Sequence, residues 1–349
     1  MIRNNKNRKT MMKRSVFFLL VSLFPLLVRG QGCMEPKSEE GVNLGGYLQP
    51  QYELIQNKDG WKNGFTFNRA RLVVMGNVPY DFSYYAMVDF SRFKPQATYL
   101  LDAFITYSRF PFAKVTLGQF KPPLSQELNT PCHKLHTIQR SRVVNELALP
   151  DRDLGLMVWG SFLDKKVSYN LAVMNGYQRN FFDENPQKDL VGRLLIQPVE
   201  MIRFGGSFRR GVTGANSDNL KTRLAAELQI EWKDLLLQAE YIYGKDTGSY
   251  TTGGGCDGTP IEIHQGPVER DGMYAMIMYM TPWRLQPVVK YEFYRDDISI
   301  ADNIDHTITY GINYFFNDWT RLQINYLYRS EKLKEVPNDA LLVQLQIEF

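Results

Sequence analysis

The sequence predicts an all-β protein: a transmembrane antiparallel up-and-down β-barrel of about 16 strands, with short periplasmic turns and long outer loops. Three observations carry that prediction. Apolar and polar residues alternate at period two through most of the chain, as in "LLVQLQIEF" at 341–349, where Leu341, Val343, Leu345, Ile347 and Phe349 share one face. The connections between alternating stretches switch regularly between short and long. Beyond residue 30 no apolar run approaches the roughly 18 residues a membrane helix needs, and mean hydropathy is below zero.

In chain order, residues 1–30 read as a secretory signal peptide, cleaved after Gly30. Lys13 and Arg14 precede an apolar run over 15–28, and the run is short for an anchor and contains Pro25. Residues 1–11 form a leader ahead of Met12. Cys33, in "GQGC", is a weak lipidation site because Gly30 stands where such a signal wants Leu. Residues 31–41 form a linker, and 42–349 form the barrel domain. The signal holds seven of the 41 Lys and Arg and no acid, which leaves 34 basic against 37 acidic residues in the mature chain. That balance argues against nucleic acid as a partner. Three cysteines leave an odd one. Cys132 and Cys256 both fall in long loops, where a bridge between them and unpaired thiols are the two arrangements.

The alternation places strands near 43–54, 65–78, 82–91, 99–108, 113–120, 153–162, 166–175, 189–197, 201–209, 220–232, 235–244, 271–281, 285–295, 306–316, 320–329 and 340–349. Short turns sit at 78–81, 110–112, 163–166, 198–200, 233–234, 281–283 and 317–318. Longer connections fall at 55–64, 92–98, 121–152, 176–188, 210–219, 245–270, 296–305 and 330–339. A soluble sandwich shows no such regularity, and no repeat suggests a propeller. An antiparallel barrel closes by pairing its last strand with its first. The aromatic Phe349 on an alternating final strand resembles the insertion signal read by the barrel-assembly machinery.

Each strand divides into two faces. In 306–316, Ile308, Tyr310, Ile312 and Tyr314 oppose Thr307, Thr309, Gly311 and Asn313. Charge at bilayer mid-depth costs roughly 2–4 kcal/mol, so the apolar face meets lipid and the polar face meets the lumen. Basic lumen candidates are Arg69, Arg71, Arg193, Arg203, Arg209 and Arg223, with Lys221, Lys290, Arg321 and Arg329. Arg193, Arg203, Arg209 and Arg223 come from three consecutive strands and could build one basic wall; pairing with acids such as Glu227 and Glu240 is the structural alternative. The longest connection, 121–152, is a candidate constriction loop. Lys121, His133, Lys134, His136, Arg140 and Arg142 make it locally basic. Guanidinium forks match the oxygens of phosphate. "HKLH" is a weak metal signal, and no cofactor or metal is expected.

Residues 65–162 resemble the phosphate-selective porin O and P family. "FTFNRARLVVMGNV", "LLDAFITY", "VTLGQFKPPLSQE" and "PDRDLGLMVWG" carry the likeness, in the family's order. The resemblance implies a 16-stranded, trimeric channel in the Gram-negative outer membrane, with an inward constriction loop and arginines lining the lumen. Arg69, Arg71 and Lys121 fit its motifs by position, as do Arg152 and Asp153. The mixed lumen charge departs from a simple anion ladder.

The expectation is therefore a passive channel for small hydrophilic solutes, with a preference for anions such as phosphate, surrounded by outer-membrane lipid. A general non-selective porin and a structural or adhesive barrel are the alternatives. A barrel enzyme is less favoured: His133, His136, His264 and His306 lie in or beside outer loops, yet no G-x-S-x-G nucleophile motif is present.

Overall fold

A computed structural model describes residues 41–91, 99–177, 179–183, 185–213, 218–253 and 262–349. The signal peptide, Cys33 and Cys256 lie outside the described residues. The strands are β1 Gly41–Asn57, β2 Gly60–Val78, β3 Phe82–Asp89, β4 Leu100–Tyr107, β5 Lys114–Phe120, β6 Asp153–Phe162, β7 Val167–Met174, β8 Asp189–Val199 and β9 Ile202–Val212. They continue with β10 Leu220–Trp232, β11 Leu235–Asp246, β12 Ser249–Thr252, β13 Glu262–Gln265, β14 Val268–Tyr279, β15 Leu285–Arg295, β16 Asp305–Phe315, β17 Thr320–Glu331 and β18 Ala340–Glu348. Sixteen of them close into one antiparallel barrel, each paired with its neighbours and β1 with β18. β12 and β13 form a separate outer hairpin.

The period-two faces fall as the alternation requires. Tyr310, Ile312 and Tyr314 are exposed on the outer wall, while Thr309 and Asn313 are buried inside. On β10, Leu224 and Trp232 face out and Lys221, Arg223, Glu227 and Gln229 face in. Aromatic residues crowd the turn end: Trp232, Trp283, Phe316, Trp319 and Phe349 are all exposed there, as at a membrane interface.

Two boundaries differ from the sequence reading. The connection expected at 55–64 is a two-residue turn, because β1 and β2 stay paired out to Asn57↔Gly60. A run that is polar apart from Gly60 and Trp61, from Gln56 to Asn63, hid that pairing. At 245–270, β11 runs on to Asp246, β14 starts at Val268, and the β12–β13 hairpin fills part of the rest. Arg270 is therefore a wall residue.

The lumen is not polar throughout. Met75, Tyr85, Met87, Met157, Met174, Ile242, Met276, Met278 and Val288 are buried within the barrel. They have a partner there. Loop residues Leu124, Leu128, Val143, Val144 and Leu147 belong to the same buried cluster as Met157, Ile242, Met276 and Val288. Each such side chain removed from water is worth about 1.5–3 kcal/mol. That burial holds the 121–152 segment inside the barrel.

Candidate functional site: the loop-filled lumen

The loop departs from the wall where Pro122 and Pro123 follow Lys121. Neither proline can donate to a strand ladder, so β5 ends. Ser125 then caps the short helix Gln126–Asn129, its Oγ accepting from Leu128 N at 3.2 Å. The same hydroxyl donates to Glu240 Oε2 on β11 at 3.0 Å. That carboxylate also accepts from the amides of Gln126 at 3.0 Å and Glu127 at 3.2 Å. A buried acid from the wall thus fixes the first turn of the loop.

Two basic candidates turn into the loop itself. Lys121 Nζ donates to Leu128 O at 2.8 Å and Thr130 O at 3.2 Å. Arg140 donates from Nε to Glu127 O at 2.9 Å and from Nη2 to Leu128 O at 3.2 Å and Thr130 O at 3.0 Å. Its Nη2 also reaches Cys132 Sγ at 3.3 Å, and Arg71 Nη1 reaches the same sulfur at 3.1 Å. Glu127 joins the two arms of the loop by accepting from Ser141 N at 2.7 Å. Lys290 of β15 reaches Gln139 O at 3.2 Å and Ser141 Oγ at 3.3 Å beside it.

The wall holds the loop by two different chemistries. From β1 through β18, β17 and β16 to β15 runs a belt of amides. Gln49 donates to Gln346 at 2.7 Å, Gln344 to Gln323 at 2.9 Å, Gln323 to Asn313 at 3.0 Å and Asn313 to Gln286 at 2.9 Å. This belt takes the loop backbone. Arg321 and Gln346 donate to His133 O at 2.7 and 3.1 Å, Asn313 donates to His136 O at 2.8 Å, and Asn325 accepts from Ile138 N at 2.7 Å.

The opposite wall uses buried ion pairs. Arg209 meets Asp189 at 2.5 Å, Lys221 meets Asp189 at 3.0 Å, and Asp246 lies between Arg223 at 3.0 Å and Arg270 at 2.5 Å. With those pairs made, Arg209 Nη1 and Arg223 Nε still donate to the loop carbonyls of Leu149 at 2.8 Å and Leu147 at 3.1 Å.

The four residues read as one basic wall therefore divide. Arg209 and Arg223 sit in this upper network. Nearer the periplasmic end, Arg193 forms a two-pronged pair with Glu227 at 2.9 and 2.7 Å. Arg203 donates to Gln229 at 2.5 Å and forms no ion pair among the described residues. Arg71 pairs with Asp89 at 2.7 Å, and Arg69 donates to Gln49 at 2.9 Å. Arg152 is fully buried between Asp102 and Asp151.

Between the loop and β15–β17 lies a polar cavity of about 350 Å³. Arg140, Arg142, Lys290 and Arg329 line it together with Glu146, Glu292, Asp305 and Glu331. Arg142 is the most open of these cations, 45% exposed and paired with Asp305. Arg329 donates to Asn338 O at 2.5 Å and forms no ion pair among the described residues. Lys290 and Arg329 belong to the site as much as the loop arginines do. Their inward parity on β15 and β17 is the sequence signal for them.

A closed antiparallel barrel, apolar outside and with a long loop folded into a charged lumen, defines an outer-membrane porin. Residues 42–201 match the model of the family described as phosphate-selective porin O and P. Solved structures share the fold. An anion-selective porin from Comamonas acidovorans aligns with a TM-score of 0.67 at 12% identity, over 88% of this chain and 99% of that one. The outer-membrane channel DcaP of Acinetobacter baumannii gives 0.65 at 13% identity, over 90% and 99%. Salmonella typhi OmpF gives 0.64 at 11% identity, over 89% and 98%. Identities this low speak for the fold alone. No curated protein matches the sequence.

Proposed function

We propose that the protein is a passive diffusion channel for small hydrophilic solutes, with a preference for anions such as phosphate. The cavity beside the inserted loop carries this reading: it is polar, lined by guanidinium and ammonium groups, and bounded by the 121–152 segment as a constriction. Charged walls offset the desolvation of a passing ion. Release follows because each cation is already partly satisfied by a protein oxygen, so a solute oxygen adds only a weak, replaceable bond. Arg142 and Arg329 would meet the solute first, and Arg69, Arg203 and Arg321 further down.

A homotrimer is the proposed assembly. One similar structure, OmpT of Vibrio cholerae, is described as a trimer form. Phe349, at the end of the closing pair, is the proposed contact for the barrel-assembly machinery. We assign the barrel no catalytic role, since the fold and the family model matched by residues 42–201 are those of a channel.

A second reading is favoured by the acids of the same cavity. Glu146, Glu292, Asp305 and Glu331 equal its cations in number, which suits a general porin with weak selectivity. Single-channel recording in planar bilayers separates the two. Chloride current that falls when phosphate is added supports the anion-preferring channel. A large conductance indifferent to phosphate supports the general porin, and no conductance removes both.

A further inference from the structure

The lipid-facing wall dips into an apolar groove of about 740 Å³ across β7–β11. Its cause is a run of small residues between large ones. One row across four strands reads Leu194, Gly206, Ala226, Tyr241, by direct pairing of β8 with β9, β9 with β10 and β10 with β11. At Gly206 an added Cβ would meet only a backbone oxygen, Ala225 O, at 3.2 Å. No side chain therefore covers the wall there. The next row toward the outer end is Phe208, Leu224, Tyr243, which forms an apolar and aromatic shoulder.

One row further out stand Arg210, Thr222 and Lys245, again direct neighbours. All three share the lipid-facing parity of the groove. Arg210 is exposed and forms no ion pair or hydrogen bond among the described residues. Lys245, 50% exposed, pairs with Glu269 at 2.6 Å.

An apolar groove alone does not select a lipid, because acyl chains are as apolar as the leucines that line it. Selection has to come from the head group. A guanidinium at the membrane surface, without a carboxylate partner and beside a hydroxyl and an ammonium, fits a phosphate. The charge lies at the outer strand ends, so the ligand belongs to the outer leaflet.

We propose that this groove is a binding site for a phosphorylated lipid of the outer leaflet. An acyl chain lies over Gly206 and Ala226, and the phosphate meets Arg210, Thr222 and Lys245. The site rests on the outer-membrane placement of the barrel and is independent of what passes through the lumen.

The test is native mass spectrometry of the full mature barrel in detergent micelles. It is titrated with bisphosphorylated lipid A and, separately, with the same lipid after removal of its phosphates. Wild type should retain the phosphorylated form about fivefold more. Arg210→Gln should abolish that preference, Arg210→Lys should restore part of it, and Ala226→Leu should lower occupancy by both lipids. Equal retention of the two lipids by wild type overturns the proposal, as does a preference that survives in Arg210→Gln. If Ala226→Leu changes the oligomer mass while lipid occupancy stays constant, the groove holds a second copy of the chain, which also overturns it. Arg210 is exposed and has no ion pair or hydrogen bond among the described residues, so its variants fold and decide the matter alone.

Discussion

Gly46 and Phe349 exchange two backbone hydrogen bonds, Gly46 N to Phe349 O at 3.1 Å and Phe349 N to Gly46 O at 3.0 Å, and so extend the β1–β18 seam to its periplasmic end. The Phe349 ring lies against the bare Cα of Gly46. A Cβ there would stand 2.8 Å from the ring and 2.4 Å from Arg71 O. The ring can swing away, but the Arg71 carbonyl is backbone and cannot. Gly46→Val should therefore cost about 1–3 kcal/mol by overpacking. The heat-dependent shift in electrophoretic mobility should occur at lower temperature than in wild type. Phe349→Ala, which keeps the backbone pair, should shift it less.

The two kinds of ion pair in the lumen should differ sharply in their sensitivity to mutation. Asp246 is buried between two guanidiniums, so Asp246→Ala leaves Arg223 and Arg270 uncompensated in a water-poor site. The expected loss is about 3–5 kcal/mol. Asp305 pairs with the half-exposed Arg142, and Asp305→Ala should cost only about 0–1 kcal/mol. Urea or guanidinium unfolding in detergent, followed by tryptophan fluorescence, measures both.

Arg140 should matter to the loop more than to the solute. Arg140→Met removes a donor from three carbonyls of the loop; Leu128 O and Thr130 O keep Lys121, and Glu127 O left buried costs about 1–3 kcal/mol. The loop should then loosen, seen as noisier single-channel current and faster proteolysis within 121–152. Arg142→Gln, at the cavity mouth, should leave proteolysis unchanged and alter only ion selectivity.

The loop histidines set an acid limit. Burial pushes His133 down to about 3, with Arg321, Lys121 and Arg71 adding to the effect and Cys132 opposing it. Burial likewise lowers His136 to about 4, against the hydrogen bond it donates to Gln286 Oε1, which opposes the shift. Both are neutral in the folded loop at neutral pH. An unfolded histidine takes up a proton near 6.5, so below that pH the unfolded state binds more protons and folding loses stability. The loss should begin near pH 6.5 and grow until about pH 3–4. It amounts to a few kcal/mol per histidine by order of magnitude. Replacing His133 and His136 by Gln should flatten the stability profile between pH 4 and 6.5, in a series of thermal melts.

The wall was legible in the sequence because a membrane barrel writes its two faces at period two, and β16, β17 and β10 follow that rule almost residue by residue. The ends of strands were less legible. Past the lipid boundary both faces are polar, so nothing in the pattern marks where Gln56 still pairs with Trp61, or that Arg270 is already in the wall. The sign that the loop folds inward was present but indirect. β14 is apolar on both faces, with Met276 and Met278 directed inside, and the loop supplies Val143, Val144 and Leu147 to meet them. The pairing of charges was out of reach. Arg142 and Asp305 lie 163 residues apart and Arg209 and Asp189 lie 20 apart; the inserted loop brings the first pair together and the pairing of β8 with β9 the second.

In the proposed channel the path through the barrel runs past the guanidinium groups beside the inserted loop. The zero-current potential across a tenfold potassium chloride gradient tests it most directly, recorded for wild type and for Arg142→Gln combined with Arg329→Gln. Wild type should give a potential of the anion-selective sign that moves toward zero, or reverses, in the double variant. A wild-type potential of the cation-selective sign, or one that the double variant leaves unchanged, would contradict the proposed path.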